Sequence, residues 1–275
     1  MTFELVKIGA DIELYFGDNL EVMRAVKPPI DCLIADHPYL MDTSGGGKFR
    51  AERSNLEDIT AAGLDGHFDI EVYHYAMNLG CLSLVCFFNW QQEPTISAFF
   101  NHGYFYRNSL NFWDKSNASP MCNRAYQSHV EYYRHGWREG FKLKNRALAD
   151  MKKVYRSANG KSEFDHPTVK PIGLMRKIVN NASHRGDLVI DPYAGTGSTG
   201  VACVELGRRF IGIEHNRGYF EIMVGRLTEA YDAQQFDAVW PNGLNKYIEC
   251  SECCGLLAQS YEGQSDSCDN CAEAL

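Results

Sequence analysis

The chain has 275 residues and a formal net charge of −8, with 45% hydrophobic and 23% charged residues. This length and composition suit one α/β domain with appendages, large enough to bury a full core. No apolar run approaches the roughly 18 residues of a membrane span, and the N-terminus lacks a basic-then-apolar signal layout, so we expect a cytoplasmic protein without membrane association.

The first expected elements are an edge hairpin, a helix and a buried strand. Residues 3–8 and 11–16 have the pattern of two short strands, and a helix follows to about Val26. Asp18 precedes this helix and has a side chain suited to capping its N-terminus. Residues 31–35 then form an apolar segment typical of a buried strand.

The tetrapeptide Asp36-His37-Pro38-Tyr39 follows at the carboxyl end of that strand, where open parallel sheets bind ligands. Residues 41–66 come next, with three consecutive glycines and no clear periodicity. Because this segment leaves directly from Tyr39, we interpret it as an active-site lid, with a plain surface loop as the alternative.

The middle of the chain continues to alternate between helices and strands. Helices are expected over 70–79 and 93–101, and strands over 82–88, 104–113 and 130–134. This alternation predicts a Rossmann-like, doubly wound, mostly parallel sheet with helices on both faces. Aromatic residues crowd the region, and most should belong to the core, with Trp90 or Trp113 as a candidate pocket wall.

Residues 138–161 form a basic segment, with eight basic residues against two acidic ones. The local charge is therefore +6 in a chain whose net charge is −8, which leaves −14 for the remainder. A basic stretch on an acidic body is consistent with contact to nucleic-acid phosphates. A solvated surface helix without a partner is the alternative.

A glycine-rich turn lies between two expected strands, 187–190 and 209–213, and leads into a helix over 200–206. The turn contains Asp191, Pro192, Tyr193, Ala194, Gly195, Thr196, Gly197 and Ser198. Gly195 and Gly197 can take positive φ and carry no Cβ, so a ligand can lie against the backbone at the helix N-terminus.

Glu214, followed by His215, ends the second of these strands. An acidic residue at this point is where a nucleotide-binding α/β unit places its acceptor for ribose hydroxyls. The strands that end at Asp36, Asp191 and Glu214 should meet at one crevice. We therefore expect an adenosine-containing cofactor in this crevice.

Three motifs together resemble the β-class, circularly permuted, S-adenosylmethionine-dependent amino-methyltransferases of DNA. Residues 36–39 resemble the catalytic Asp-Pro-Pro-Tyr, and residues 191–197 resemble the cofactor loop Asp-Pro-Phe-x-Gly-x-Gly. Residues 166–171 resemble the His-Pro-Thr-x-Lys-Pro segment of the same class. The catalytic motif precedes the cofactor loop, as in the permuted class.

The resemblance implies methyl transfer to adenine N6 of a base flipped out of double-stranded DNA. Asp36 and the backbone carbonyl of His37 would accept the two amino N–H bonds, and Tyr39, after Pro38, would stack on the base. The sulfonium leaves as a neutral thioether, so the transfer needs no metal. The expected cofactor-binding residues are Asp18, Asp36, His166, Thr168, Lys170, Asp191, Tyr193, Ala194, Gly195, Thr196, Gly197, Ser198, Glu214 and His215.

Two features leave the assignment open. Relatives that act on cytosine N4 more often carry serine where this chain has Asp36, which favours adenine but keeps cytosine as the alternative. His37 stands where the family has proline, which fixes φ. Without this proline, either the position of the His37 carbonyl acceptor is less fixed, or other contacts hold His37 in place. A methylation-incompetent DNA-binding or regulatory protein is therefore a further alternative, and an RNA substrate is less favoured.

The resemblance also divides the chain into expected units. Residues 1–135 would form the catalytic half, 136–165 a basic target-recognition insertion, and 166–235 the S-adenosylmethionine-binding half. Because β-class relatives often dimerise, a homodimer is one option. No nuclease signature accompanies the motifs. We expect a bacterial or phage-encoded modification enzyme, either stand-alone or in a restriction-modification pair with a separate nuclease chain.

Residues 246–275 are expected to form a separate zinc-ribbon-like tail. Ten cysteines in a reducing cytoplasm suggest buried thiols and a metal site. The proposed zinc ligands are Cys250, Cys253, Cys268 and Cys271, spaced C-x2-C-x14-C-x2-C. Four thiolates can bind Zn²⁺ tetrahedrally, and metal binding would supply the folding energy of so short a unit. A disordered acidic tail with reactive thiols is the alternative.

Overall fold

The computed structural model describes residues 3–26, 29–39, 69–118, 126–143, 148–159, 169–239, 247–249 and 256–258. The strands are β1 (Glu4–Ile8), β2 (Ile12–Phe16), β3 (Cys32–Ala35), β4 (Ser83–Phe88), β5 (Arg107–Lys115), β6 (Val130–Trp137), β7 (Val154–Ser157), β8 (Leu188–Asp191), β9 (Arg209–Glu214), β10 (Tyr247–Glu249) and β11 (Leu256–Ala258). The helices are α1 (Asn19–Ala25), α2 (Glu71–Asn78), α3 (Glu93–Phe100), α4 (Leu148–Met151), α5 (Ile172–Ala182), α6 (Ser198–Glu205) and α7 (Arg217–Val239). Within these ranges no helix combines the length and apolar character that a membrane crossing requires.

The main sheet has nine strands in the order β1-β2-β9-β8-β3-β4-β6-β5-β7. The strands β2, β9, β8, β3 and β4 run parallel to one another. The strand β6 is antiparallel to β4 and β5, and β1 is antiparallel to β2. The connections that leave β8 and β3 lead in opposite directions, to β9 and to β4. A crevice is therefore expected at the carboxyl ends of β8 and β3.

Helices cover both faces of the sheet because its central strands are apolar on both sides. Cys32 and Ile34 of β3 pack in a core cluster with residues of α5, α6 and α7. Leu33 and Ala35, which alternate with them, pack with residues of α1, α2 and α3. The doubly wound, mostly parallel α/β sheet predicted from the sequence is confirmed.

Most of the predicted elements agree with the structure, but the prediction did not include α5 and α7, and further differences lie at the far edge of the sheet. The expected N-terminal hairpin is β1 and β2, and the helices near 70–79 and 93–101 are α2 and α3. The strand expected over 130–134 extends to Trp137 because β6 pairs with both β4 and β5. The basic segment contributes β7, a parallel edge strand beside β5 that the sequence did not predict.

Candidate active site

A cleft of about 1070 Å³ opens at the carboxyl ends of β3, β8 and β9. Asp36, Asp191 and Glu214 all line it, so the predicted convergence of these strand ends is confirmed. The lining residues that the sequence singled out are Asp36, His37, Pro38, Tyr39, Trp90, Lys170, Asp191, Tyr193, Ala194, Gly195, Thr196, Ser198, Glu214 and His215. Single ligand pockets usually span about 300–1,000 Å³, so this cleft is large enough for a cofactor and part of a second substrate.

The glycine turn has the backbone conformation expected from its sequence. Gly195 has φ of 53° and Gly197 has φ of 85°, both in the left-handed region. Gly197 stands at the N-terminus of α6, and a Cβ there would lie 2.7 Å from Leu227 Cδ1. Glycine at this position is therefore required both by the backbone angle and by the close approach of α7.

Asp191 anchors this turn from inside the protein. Its side chain accepts hydrogen bonds from Thr199 Oγ1 at 2.5 Å and from the Tyr193 N–H at 3.0 Å. Asp191 is 2% exposed, and burial raises its pKa to about 7. Sequence reasoning missed Thr199, for which the only signal was a hydroxyl placed in the first turn of the helix.

Glu214 connects the turn to the end of β9. Its carboxylate accepts the Gly195 N–H at 2.9 Å and the Asn216 N–H at 2.7 Å. Burial raises the pKa of Glu214, while these two backbone donors oppose that shift. His215 lies beside it, with Nδ1 3.4 Å from the carboxylate and most of its side chain exposed.

Asp18 serves as the N-terminal cap of α1 in this structure. Its carboxylate accepts the Glu21 N–H at 2.9 Å, and Asp18 is not among the residues that line the cleft. The structure thus shows the capping role, and the cofactor role of Asp18 stays a prediction.

Asp36 lies opposite the cofactor turn and takes part in a cluster of charged groups. Lys170 Nζ pairs with Asp36 Oδ2 and lies 3.2 Å from Glu131 Oε2. The Tyr39 hydroxyl is 3.0 Å from Asp36 Oδ1 and 3.3 Å from Glu131 Oε2. Lys115 completes the cluster through an ion pair with Glu131. Sequence reasoning missed Glu131, whose signal was one carboxylate within an apolar strand.

The charges in this cluster balance one another, with two carboxylates facing two ammonium groups. Desolvation raises the pKa of Asp36 although Lys170 opposes it, and the nearby Glu131 raises it further. Burial disfavours the Lys170 ammonium, but Asp36 and Glu131 outweigh burial and raise its pKa. Lys170 and Lys115 likewise outweigh burial at Glu131 and lower its pKa. Removal of any member therefore changes the ionisation of the others.

His37 points into the protein and is held by side chains from other elements. It is 1% exposed, and its Nδ1 lies 2.5 Å from the hydroxyl of Tyr73 on α2. Burial lowers the pKa of His37 to about 3, and a hydrogen bond to Gln92 opposes that shift. Of the two outcomes considered for the missing proline, the structure shows the second, in which other contacts hold His37.

The two tryptophans proposed as a pocket wall have different locations. Trp90 lines the cleft and is 71% exposed. Trp113 is 1% exposed in the core, where its Nε1 donates to Ser157 Oγ of β7 at 2.9 Å. Of these two alternatives, Trp90 lines the cleft and Trp113 does not, because Trp113 belongs to the core cluster that includes Phe87 and Leu174. Tyr126, which the sequence did not single out for the site, also lines the cleft and is fully exposed.

Several predicted site residues lie outside the part of the chain that the structure describes. They are His166, Thr168, Cys250, Cys253, Cys268, Cys271 and the proposed lid at 41–66. Among the described residues, no three His, Cys, Asp or Glu side chains are grouped to bind a metal ion. The described cysteines Cys32, Cys81, Cys86 and Cys203 are buried free thiols.

Residues 30–225 match the N6/N4 family model described as DNA methylase. The chain is 25% identical over 242 residues to the type II methyltransferase M2.DpnII of Streptococcus pneumoniae, covering 78% of this chain and 88% of that protein. It is 42% identical over 77 residues to the DNA adenine methyltransferase YhdJ of Escherichia coli (strain K12), covering 27% of this chain and 26% of that protein.

Solved structures support the same relationship at the level of the fold. The M1.HpyAVI complex with SAM superposes with a TM-score of 0.58 at 26% identity, covering 78% of this chain and all of that one. The cytosine-N4-specific PvuII DNA methyltransferase has a TM-score of 0.59 at 16% identity, covering 82% of this chain and 93% of that one. The latter similarity shows a shared fold alone.

Proposed function

Because this chain belongs to the N6/N4 family of DNA methylases, we propose that it transfers a methyl group from S-adenosylmethionine to adenine N6 in DNA, as a member of the β class. One observation carries the proposal. The turn that contains Asp36 lines the same cleft as the glycine turn and Glu214. A flipped base held at Asp36 and a cofactor held at Glu214 would then meet between the two turns.

The cofactor half of the cleft fits the adenosine part of S-adenosylmethionine. Gly195 and Gly197 leave the backbone uncovered, and Glu214 is a buried carboxylate at the end of β9. Each carboxylate oxygen can accept two hydrogen bonds. Glu214 can therefore accept a ribose hydroxyl while it retains its two backbone donors. When bound, the cofactor supplies an electrophilic methyl group and leaves as a neutral thioether.

The base half of the cleft offers acceptors for an amino group. An exocyclic amine is a poor nucleophile because its lone pair is delocalised into the ring. Acceptance of its two N–H bonds by Asp36 and the His37 carbonyl would turn that lone pair towards the methyl group. Methylation also releases one proton from the nitrogen, and Asp36, whose pKa is raised by desolvation, is suited to accept it.

Lys170 already pairs with Asp36, and this pairing leaves room for the base. Lys170 donates a hydrogen bond to Oδ2 of Asp36, and the Tyr39 hydroxyl donates one to Oδ1. An ionised carboxylate can accept about four hydrogen bonds, so acceptor positions remain. The target amino group can thus bind Asp36 without displacing Lys170. Tyr39 is half-buried beside the same carboxylate, in place to contact the base ring.

Adenine is favoured over cytosine by Asp36 and by the relatives named as adenine methyltransferases. Cytosine N4 remains the alternative substrate because the family includes both kinds of enzyme. We also propose that the basic segment within 136–165 contacts DNA. Lys152, Lys153 and Arg156 are exposed there on and beside β7.

The remaining proposals concern the organisation of the chain. We propose a division into 1–135, 136–165, 166–235 and a zinc-binding tail at 246–275, and a homodimer as one assembly state. The residue pattern of the tail supports the zinc proposal, since its four cysteines have zinc-ribbon spacing.

Methyl transfer from labelled S-adenosylmethionine to unmethylated genomic DNA, with separation of the product nucleosides, tests the proposed function. We expect label on N6-methyladenine, and label on N4-methylcytosine would overturn the base assignment. Asp36→Asn should lower kcat by about 10²–10⁴-fold. Asp11→Asn, the same substitution at an exposed residue of the β1–β2 turn, is the matched control. Absence of label from both bases, in protein that binds the cofactor, would contradict the proposal.

A further inference from the structure

Residues 36–39, here called the catalytic turn, have His37 in place of the proline that would fix the backbone φ angle at that position. Pro38 restricts the residue before it towards extended conformations, chiefly through ψ. The φ angle of His37 is not restricted in this way, although its carbonyl is the proposed second acceptor. Some other contact must therefore set the direction of that carbonyl.

Tyr73 provides one such contact, from the middle of α2. Its hydroxyl lies 2.5 Å from His37 Nδ1, and Tyr73 is completely buried against Phe99 of α3. The ring of His37 also makes edge contacts with Tyr39 and Tyr193, at centroid distances of 6.3 Å and 6.2 Å. The imidazole thus packs between α2, the catalytic turn and the cofactor turn.

Gln92 provides a second contact, from the residue before α3. Its Nε2 donates to the Pro38 carbonyl at 2.8 Å, and Gln92 is 1% exposed. Gln92 also lies close enough to His37 to oppose the burial-driven lowering of the imidazole pKa. Its own position is fixed because its Oε1 accepts the Asn89 N–H at 3.2 Å, and its backbone N–H donates to Asn89 Oδ1 at 3.2 Å. The Pro38 carbonyl is therefore tied to one buried, well-anchored side chain, next to the residue that Tyr73 holds.

The protonation of these groups suits a permanent contact. Burial keeps the pKa of Tyr73 well above its usual value and lowers that of His37 to about 3. At neutral pH the phenol therefore keeps its proton and the imidazole stays neutral. The hydrogen bond between the phenol and Nδ1 can then persist across the neutral pH range.

We propose that Tyr73 and Gln92 are positioning residues, which hold the 36–39 turn through His37 and Pro38 and so replace the rigidity that proline provides elsewhere in the family. Neither side chain needs to contact either substrate. The inference rests on the proposed function, because it takes the His37 carbonyl as an acceptor for the target amino group.

A double-mutant cycle between Tyr73 and His37 tests the proposal. Tyr73→Phe should lower kcat about five- to tenfold, because loss of the hydrogen bond lets the turn leave the geometry that the transition state needs. The KM for S-adenosylmethionine should stay within about twofold, since the glycine turn is unchanged. Tyr106→Phe is the matched control, because this tyrosine is 63% exposed and does not line the active-site cleft.

The same Tyr73→Phe change should lower kcat by less than about twofold in a His37→Pro background, because the hydrogen bond is then already absent. If His37→Pro does not fold, His37→Ala provides the second background with the same expectation. Equal losses in both backgrounds, or no loss in the wild-type background, would overturn the inference alone. Wild-type protein that binds the cofactor but methylates no DNA would instead contradict the proposed function, and this inference with it.

Discussion

Substitution of Lys170 by methionine should move the acid limb of the pH–rate profile to higher pH. Among the described residues, Lys170 is the only ammonium group of the charged cluster that forms ion pairs with both Asp36 and Glu131. Without it, Asp36 would keep the nearby negative charge of Glu131 but lose its counter-ion. Asp191 at the end of β8 adds negative charge, while Tyr39 and Lys115 remain on the other sides.

The expected shift follows from the size of such interactions. An opposite charge within a few ångströms changes a carboxyl pKa by about 1–3 units. The pKa of Asp36 should therefore rise by about this amount. Since the ionised form accepts the amino N–H, kcat at saturating substrates should reach half its plateau about 1–3 pH units higher. Activity above the raised pKa should be affected much less than activity below it.

Thermal unfolding of the same variant should depend on pH in a related way. In Lys170→Met, the folded-state pKa of Asp36 would lie further above its unfolded value. The stability associated with protonated Asp36 would then be fully present below the unfolded pKa and lost as pH rises through the folded one. The variant should therefore be closest to wild type in acid and most destabilised at neutral pH.

Two control variants make the experiment decisive. Lys170→Arg keeps the charge and should keep the acid limb near its wild-type position. Lys7→Met makes the same substitution at an exposed lysine of β1 and should leave the profile unchanged. The reasoning would be refuted if Lys170→Met reduced kcat by the same factor at every pH, because the ammonium would then have no influence on the ionisation of Asp36.

Three further predictions concern other parts of the chain. Gly197→Ala should destabilise the fold by about 1–3 kcal/mol and weaken cofactor binding. The control is Gly186→Ala, where φ is a similar 82° but no atom lies close to the added Cβ. This control should be destabilised in thermal unfolding by backbone strain alone, and its cofactor titration should be unchanged. Joint replacement of Lys152 and Lys153 by alanine should weaken DNA binding similarly for all sequences and lower the slope of log K against log salt by about 1 per lost phosphate contact; an unchanged slope would argue against DNA contact at β7. Elemental analysis should find one zinc per chain, lost when the four tail cysteines become serine, and a metal-free wild-type protein would disprove the zinc proposal.

The local parts of the site could be predicted from sequence because their signals lie within a few residues. The glycines of the turn and the acidic strand ends at Asp36 and Glu214 reflect backbone requirements that adjacent residues reveal. Parallel strands then bring these ends together without any further information. The family motifs added the identity of the cofactor and of the reaction.

The contacts that support the catalytic turn could not be predicted in this way. Glu131 reaches Tyr39 across 92 positions of sequence, and Tyr73 reaches His37 across 36. Such pairs depend on how α2 and β6 pack, which no local pattern specifies. The choice between Trp90 and Trp113 has the same origin, because alternation along β5 shows which side chains share a face but not which elements pack on that face.

The hydrogen bonds of Glu214 to the backbone of two separate loops also bear on turnover. These bonds fix the part of the cleft proposed to bind adenosine from within the protein, so we expect the pocket to be formed before nucleic acid arrives and the cofactor to bind first. Loss of the methyl group changes the sulfur but not the ribose that Glu214 would recognise. The demethylated product should therefore bind in the same place, compete with fresh cofactor, and make its departure a determinant of the steady-state rate.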